Sequence, residues 1–237
     1  MSDTSTDSTI IRAHGLERTY RQGAVDIHAL RGVDLEVGAG EYIVLAGPSG
    51  SGKSTLLNLL GSLDRPTAGT IQLDGVRTTD LGRSAAALFR LRHIGFVFQA
   101  YNLLPVLSAY ENAEYTLMLQ GVPKRKRRDR VLGLLERVGL ADLADRRPHE
   151  LSGGQQQRVA VVRAIAPDPK IVLADEPTAN LDSEASASLL DLMAELNAEH
   201  RTTFVFATHD AEVMARARRL VRIHDGRIVE DLPRHGA

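Results

Sequence analysis

The 237-residue chain contains no cysteine and no tryptophan, and aromatic residues make up only 4% of it. Without cysteine it has neither disulfides nor thiolate metal sites, which fits a reducing compartment. No apolar run approaches the roughly 18 residues of a membrane-spanning helix, and a net charge of −1 gives no overall attraction to nucleic acid. The hydrophobic content of 43% suffices for one large α/β domain, or for a core with one inserted subdomain.

Periodicity divides the chain into a polar start, a β-rich part, a helical part and a mixed part. Residues 1–9 are polar and acidic, unlike a signal peptide, and we expect a disordered tail there. Short alternations over residues 10–37 predict a small antiparallel layer. From about residue 100 to 165 the pattern is helical, with an amphipathic stripe between Val131 and Val138. We expect one domain over residues 10–231, with this helical part inserted as a subdomain.

The last third of the chain alternates between strand and helix patterns. Such alternation implies a mainly parallel sheet with helices on both faces, an α/β fold. A favoured two-residue turn, Asp225-Gly226, predicts a hairpin over residues 220–229. The other predicted strands are 171–175 and 203–207, and the predicted helices are 183–199 and 210–218.

A glycine-rich loop carries the strongest functional signal. It matches G-x-x-x-x-G-K-[ST] and lies between the apolar run Tyr42–Ala46 and a helix-forming run. The glycines permit a tight turn with inward N–H groups, Lys53 reaches the β- and γ-phosphates, and Ser54 offers a hydroxyl to Mg²⁺. We therefore expect a P-loop that binds a nucleoside triphosphate with Mg²⁺. The expected binding residues are Gly47, Pro48, Ser49, Gly50, Ser51, Gly52, Lys53, Ser54 and Thr55.

Two further motifs lie in the second half of the chain. Asp175, at the end of a predicted strand, can hold Mg²⁺, and the adjacent Glu176 can serve as general base or orient the attacking water. A carboxylate pair alone often only caps a helix, and the phosphate loop is what favours catalysis. The run Ser152-Gly153-Gly154-Gln155 precedes a helical stretch, and predicts either a second anion-binding helix N-terminus or an ordinary N-cap.

Taken together, these motifs resemble the ATP-binding-cassette ATPase family from about Ile10 to Val229. Leu151 to Gln155 is similar to the signature sequence of that family, whose cassettes pair head to tail. The resemblance implies that Ser152, Gly153, Gly154 and Gln155 of one chain close on ATP held by a second copy or by another cassette chain. ATP is also favoured because the guanine-reading pattern Asn-Lys-x-Asp is absent from the sequence.

The resemblance also assigns roles to four residues that their local sequence leaves open. Gln99 matches the glutamine that helps to bind Mg²⁺ and relays the nucleotide state, and His209 matches the histidine that contacts the γ-phosphate. Asp182 matches the acid of the loop that crosses the dimer interface, and Tyr20 matches the aromatic residue that stacks on adenine. The implied catalytic residues are Lys53, Gln99, Glu176 and His209, and the implied metal ligands are Ser54, Gln99 and Asp175.

Residues 60–67, 102–105 and 175–183 are similar to the lipoprotein-releasing, macrolide-export and cell-division subgroup, although Ala179 stands where glycine is more usual. This resemblance implies a transport ATPase, peripheral on the cytoplasmic face of the cell membrane. Separate permease subunits would then dock near residues 100–118. The alternative is a non-transport cassette ATPase that regulates cell division or another membrane machine, or that associates with nucleic acid or ribosomes. The near-neutral charge disfavours nucleic acid.

One charge run, Lys124 to Arg128, stands out in the helical part of the sequence. It predicts either contact with anionic lipid or nucleic acid, or the solvated first turn of a helix over residues 124–138. Charge runs are more often solvated faces, although cations oppose the dipole at a helix start.

Overall fold

The computed structural model describes residues 9–233, without the side chain of Gln22. The tail predicted for residues 1–9 lies outside the described residues except at Thr9, where the first strand begins. The strands are β1 (Thr9–Gln22), β2 (Val25–Gly38), β3 (Tyr42–Ala46), β4 (Ala68–Leu73), β5 (Val76–Arg77), β6 (Ile94–Val97), β7 (Ile171–Asp175), β8 (Thr203–Thr208), β9 (Arg219–His224) and β10 (Arg227–Pro233). The α-helices are α1 (Lys53–Leu60), α2 (Arg83–His93), α3 (Ala109–Leu119), α4 (Lys124–Arg137), α5 (Gly153–Ile165), α6 (Ser183–His200) and α7 (Ala211–Ala215).

The larger sheet has the strand order β10-β9-β3-β8-β7-β6. Its pairs are parallel except for the terminal hairpin of β9 and β10. That hairpin turns at Asp225 and Gly226, which both have the positive φ that a turn of this type needs. The predicted mainly parallel sheet is therefore confirmed, and so is the predicted hairpin.

Apolar side chains pack on both faces of this sheet. Along β3, Ile43 and Leu45 contribute to a core shared with α1 and the smaller sheet. Tyr42, Val44 and Ala46 contribute to the opposite core, which also contains side chains from α5 and α6. Because all five residues are buried, β3 has a continuous apolar sequence. Asp175 ends β7, and Glu176 and His209 directly follow β7 and β8, at the carboxyl ends of parallel strands where ligand sites of α/β sheets form.

The smaller sheet is antiparallel and has the order β2-β1-β4-β5. Its first two strands contain 14 residues each, longer than the short alternations of the sequence, and the predicted small antiparallel layer is confirmed. Register shifts within β1, such as that between Ala13 and Leu16, break the alternation of side chains without ending the strand. An irregularity of this kind bends a strand while the ladder continues beyond it.

Helices α3, α4 and α5 enclose a core of their own. Val131, Leu135 and Val138 from the predicted amphipathic stripe are buried in it. The fold thus has the predicted inserted helical subdomain. Within residues 9–233 no helix is long and apolar enough to cross a membrane.

Local boundaries differ from the prediction in three places. Residues 101–108 form no helix, and α3 starts at Ala109 because Ser108 and Glu111 form a capping box there. The helix predicted over 210–218 ends at Ala215, since the chain then enters β9 to pair with β3. Helix α2 was not predicted at all.

Candidate functional site

The phosphate loop lies between β3 and α1, as its sequence context predicts. Two of its glycines leave no room for a side chain. A Cβ at Gly52, whose φ is 107°, would lie 2.6 Å from the Ala29 carbonyl oxygen, and one at Gly47 would lie 2.2 Å from that of Ile223. The loop is therefore packed directly against neighbouring backbone, which fixes its shape for anion binding.

Lys53 and Ser54 begin α1, and their side chains point in different directions, one to the loop and one to the end of β7. Lys53 is buried, and its Nζ donates to the carbonyl oxygens of Gly47 at 2.7 Å and Pro48 at 3.0 Å. The Ser54 hydroxyl donates to Asp175 Oδ1 at 2.9 Å. A cation over the loop and a hydroxyl–carboxylate pair beside it are the groups that a triphosphate and its metal require.

Burial raises the pKa of Asp175 above its ordinary value, and the nearby Glu176 charge raises it further. The Ser54 hydrogen bond and the Lys53 charge act in the opposite direction. The carboxylate thus lies where extra positive charge would stabilise its ionised form, as expected of a metal ligand.

Glu176 is held in place by its neighbours from β8 and beyond. Its Oε2 accepts a hydrogen bond from the Thr208 hydroxyl at 2.8 Å, and its Oε1 lies 2.7 Å from His209 Nδ1. The backbone φ of Glu176 is 45°, a left-handed conformation that is uncommon outside glycine and clusters at functional sites. The structure thus brings two of the predicted catalytic residues into direct contact.

Gln99 lies in the same cleft as Glu176 and His209, which has a volume of about 500 Å³. Its carbonyl oxygen accepts a hydrogen bond from Asn180 Nδ2 at 2.9 Å, while its side chain is exposed. The cleft also contains Leu181, from the loop before α6. Residues that are far apart in the chain therefore meet at the carboxyl ends of β6, β7 and β8.

The residues of the predicted second anion site act as helix caps within this chain. Ser152 accepts a hydrogen bond from the Gln155 amide, and Gln155 Oε1 accepts one from the Ser152 amide, a complete capping box. Asp182 in turn caps α6 by accepting from the Ala185 amide at 2.8 Å. Ser152 and Asp182 are exposed, Gly153 and Gly154 are half-buried, and none of the four lies among the residues lining the cleft.

Tyr20 is anchored by a charged pair. Its hydroxyl donates to Asp64 Oδ2 at 2.9 Å, and Arg18 donates to both oxygens of the same carboxylate. The Arg18 guanidinium also lies over one face of the tyrosine ring, 4.4 Å from its centroid. The tyrosine ring is therefore held by the hydrogen bond of its hydroxyl and by the guanidinium on one of its faces. The sequence alone had assigned no role to Arg18 or Asp64.

The basic run lies in the first turns of α4, where only Arg127 is not fully exposed. Arg127 pairs with Glu114 at 2.7 Å, and the Arg128 guanidinium lies 5.9 Å from the Tyr110 ring centroid. Two of the five cations thus help to hold α4 against α3.

Sequence reasoning missed three residues that contact the predicted site. Thr208 holds Glu176, Asn180 holds the carbonyl of Gln99, and Arg163 binds the backbone just after Gln99. Thr208 and Asn180 belong to motifs that were recognised, so their position next to His209 and Asp182 was an available signal. No sequence signal indicated Arg163, because its partners lie about 60 residues away in the chain.

Comparisons with known proteins agree with this geometry. The family model described as ABC transporter matches residues 30–179. An uncharacterized ABC transporter ATP-binding protein of Thermotoga maritima is 50% identical over 92% of this chain and 93% of its own length. A macrolide export ATP-binding/permease protein of Paracoccus denitrificans is 46% identical over 95% of this chain, which spans only 34% of that longer protein.

Among solved structures, the chain resembles a dimeric post-hydrolysis state of the ATP-binding cassette MJ0796 bound to ADP and Pi. The TM-score is 0.90 at 40% sequence identity, and the match covers 96% of this chain and 100% of that one. The similarity therefore extends over the whole described fold, including both sheets and the helical subdomain.

Proposed function

The chain belongs to the ABC transporter family, and we propose that it is an ATP-hydrolysing subunit that powers a membrane transporter. The observation that supports this best is the cleft that contains Glu176, His209 and Gln99, together with the Ser54–Asp175 contact at the phosphate loop. A phosphate loop alone would also suit a kinase or a GTPase. A carboxylate fixed in place close to it is what attack of water on the γ-phosphate requires.

We propose that Lys53 and the loop amides bind the phosphates and that Ser54, Gln99 and Asp175 hold Mg²⁺. Their hydroxyl, amide and carboxylate oxygens are the hard donors that this ion prefers, so the residues present fit it. When bound, Mg²⁺ neutralises charge on the β- and γ-phosphates. Glu176 accepts the proton of the attacking water or orients it, and His209, held by the Glu176 carboxylate, contacts the γ-phosphate.

The adenine would stack on the face of Tyr20 opposite Arg18, because the Arg18 guanidinium covers the other face. Stacking of a base on a tyrosine ring needs a ring of fixed orientation, and Asp64 provides it. This assignment explains why two charged residues converge on one aromatic side chain.

We propose that the active form is a head-to-tail dimer of cassettes. Ser152, Gly153 and Gly154 begin α5, where a helix N-terminus offers amides to an anion, yet the cleft of the same chain is not lined by them. A second chain would place this N-terminus, and Asp182 beside it, over bound ATP. The structural relative MJ0796 is itself described as dimeric with ADP and Pi, which supports the same arrangement here.

We further propose that a cytoplasmic segment of a separate permease binds a groove of about 350 Å³ beside Gln99. Leu63, Phe96 and Phe98 supply its apolar lining, and Asn102 and Thr116 come from the predicted docking stretch 100–118. Phe98 and Asn102 line the groove and flank Gln99 in the chain, so a partner there would contact the segment that carries Gln99.

Some residues of the docking stretch are less accessible than the sequence suggested. Leu103 and Tyr110 pack partly against the helical core, and Leu107 is also half-buried. Leu104 and Val106 are its exposed apolar side chains near Gln99.

In this proposal the chain forms one domain over residues 10–231 and acts at the cytoplasmic face of the cell membrane, attached through its permease. The macrolide export relative is named as an ATP-binding/permease protein, which supports a transport role over the non-transport alternatives. A regulator of a membrane machine would use the same site and the same groove, with a different membrane partner.

The proposal is tested first by phosphate release from MgATP with the purified chain. Lys53→Ala should lower turnover at least about a hundredfold, because a main cationic partner of the phosphates is lost. Lys170→Ala is the matched control, since this exposed lysine, just before β7, pairs with Asp74 among the described residues and should leave turnover unchanged. Near-normal turnover of Lys53→Ala would contradict the site.

A further inference from the structure

The backbone immediately after Gln99 has an unusual conformation. Tyr101 and Asn102 both lie in the left-handed region, with φ of 59° and 50°. Residues other than glycine are rarely found there, and two in succession persist only where surrounding contacts hold them. The segment that carries Gln99 therefore depends on contacts from elsewhere in the fold.

Arg163 supplies two of those contacts from the last turn of α5. Its guanidinium donates one hydrogen bond to the Tyr101 carbonyl oxygen at 2.7 Å and another to the Asn102 carbonyl oxygen. The side chain is half-buried, and burial lowers its pKa below the ordinary arginine value. The planar fork of arginine fits two adjacent carbonyl groups, a geometry that a lysine ammonium does not reproduce.

Other contacts hold the same segment from the opposite side. Asn180 donates to the Gln99 carbonyl oxygen, and the Tyr101 hydroxyl lies so close to Gly153 that a Cβ there would be 2.8 Å from it. Both ends of α5 thus touch the residues that follow Gln99. Helix α5 begins at the residues proposed to close on the partner's ATP.

We propose that Arg163 is a positioning residue that fixes the backbone of residues 99–102 so that the Gln99 side chain meets Mg²⁺ in the nucleotide cleft. It acts through Gln99 and does not touch the nucleotide. This inference rests on the proposed role of Gln99 as a metal ligand. Arg163 and Asn102 also line the apolar groove, so an occupant of the groove would contact the side chain that holds the Gln99 segment.

A magnesium titration of ATP hydrolysis by the full chain tests this role. For Arg163→Gln, we expect the Mg²⁺ concentration for half-maximal turnover to rise at least about tenfold, the lower limit for losing a residue that orients a metal ligand. Nucleotide affinity without Mg²⁺ should not change. Arg163→Lys keeps the charge without the fork, and should give a smaller rise in the same direction.

Arg158→Gln is the matched control for a merely structural effect. Arg158 lies on the same helix and donates to the Val138 carbonyl oxygen at 3.1 Å, away from the Gln99 segment. Its loss should lower the melting temperature and leave the Mg²⁺ requirement as it was. An equal rise for Arg158→Gln and Arg163→Gln would overturn the proposal. If Arg163→Gln does not fold, a Mg²⁺ requirement of Arg163→Lys equal to that of the unaltered chain would overturn it too.

Gln99→Ala separates this inference from the proposed site. It should raise the Mg²⁺ requirement at least as much as Arg163→Gln. If Gln99→Ala raises it and both Arg163 variants leave it unchanged, the site stands and the role of Arg163 is wrong. If Gln99→Ala leaves it unchanged, Gln99 is not a metal ligand, and its assignment and the role of Arg163 are both overturned, while the ATPase proposal is decided by Lys53→Ala.

Discussion

Asp175 and Glu176 are adjacent in the chain, yet their carboxylates have different surroundings. Asp175 meets the Ser54 hydroxyl beside the phosphate loop, where burial raises its pKa. Glu176 turns away through a left-handed backbone and is held by Thr208 and His209. Because the backbone changes direction at Glu176, the end of β7 would present one carboxylate to the proposed metal and a separate one to the attacking water.

Replacing Asp175 by asparagine should stabilise the nucleotide-free protein at neutral pH. The folded pKa of Asp175 is raised, so the folded state holds its proton more tightly than the unfolded state does. The stability that this proton contributes is present below the unfolded pKa, about 3.9, and is lost as pH rises through the folded pKa. Asp175→Asn does not lose this stability as pH rises, because asparagine does not ionise. Its melting temperature should therefore exceed that of the unaltered chain at pH 7.

The two melting curves should converge as pH is lowered below about 3.9, because Asp175 then becomes neutral in the unfolded state as well as in the folded state. The added stabilisation that MgATP gives should be largely absent from the asparagine variant. Melting temperatures recorded across this pH range check both statements. An asparagine variant that is less stable at pH 7 would contradict the account of Asp175.

At the scale of helices, strands and turns, the sequence predicted the features that are set by residues close together in the chain. Glycine placement and strand periodicity predicted the phosphate loop between β3 and α1. They also predicted the two-residue turn at Asp225. The alternating β and α segments predicted the parallel sheet. Helix α2 was missed because its pattern is weak, with only Ala86 and Phe89 buried among 11 residues.

What the sequence could not predict depends on contacts between distant residues. Arg163 reaches Tyr101 across some 60 positions, and Asp64 reaches Tyr20 across 44. No periodicity marks such pairs, since each partner is an ordinary polar residue in its own segment. Roles for Gln99 and His209 came from the family resemblance, not from their neighbours. Their meeting with Glu176 in one cleft emerges only when β6, β7 and β8 lie side by side.

The start of α5 gives a prediction at this scale. Ser152→Asp keeps an N-cap acceptor for the helix, and adds a negative charge where the proposed partner's γ-phosphate would lie. We expect the variant to fold and bind ATP as a single chain, with hydrolysis abolished. Calorimetric ATP binding and phosphate release check these two properties separately.

Mixing Ser152→Asp with Lys53→Ala protein should restore activity. In a heterodimer one site keeps both an intact phosphate loop and an intact signature, and the other site loses both. Random pairing at equal amounts then gives up to about a quarter of normal turnover, if each composite site works alone. Activity that stays absent on mixing, or a Ser152→Asp chain that no longer binds ATP, would place the signature residues in the site of their own chain.

Across the whole molecule, the site and the groove are lined by different residues of the segment around the end of β6. The cleft holds the Gln99 side chain, and the groove is lined by Phe96, Phe98 and Asn102. A partner bound in the proposed groove would therefore act on the cleft through a few residues. A net charge of only −1 means that two copies of the chain would not repel each other strongly in the proposed dimer.

A charge placed in the groove should separate partner binding from catalysis. Leu63 lines the groove and is 45% exposed, so Leu63→Glu should fold and keep its basal ATPase. Its association with native membranes should fall, because the glutamate replaces apolar contact surface that the partner segment needs and adds a carboxylate beside Arg90 and Arg163, which the partner would have to cover. Val229→Glu is the control, since Val229 is 62% exposed on the edge strand β10 and lies outside the groove. Equal membrane binding by both variants would show that the docking surface lies outside the groove.

In the proposed mechanism, two copies of this chain enclose ATP and separate only after hydrolysis. Sedimentation velocity of Glu176→Gln tests it most directly, because this variant keeps the MgATP ligands and loses the group that activates or orients water. We predict a monomer without nucleotide, and a dimer with MgATP that persists while turnover is at least about a hundredfold below normal. A variant that binds MgATP to saturation and still sediments as a monomer at every concentration would contradict the claim.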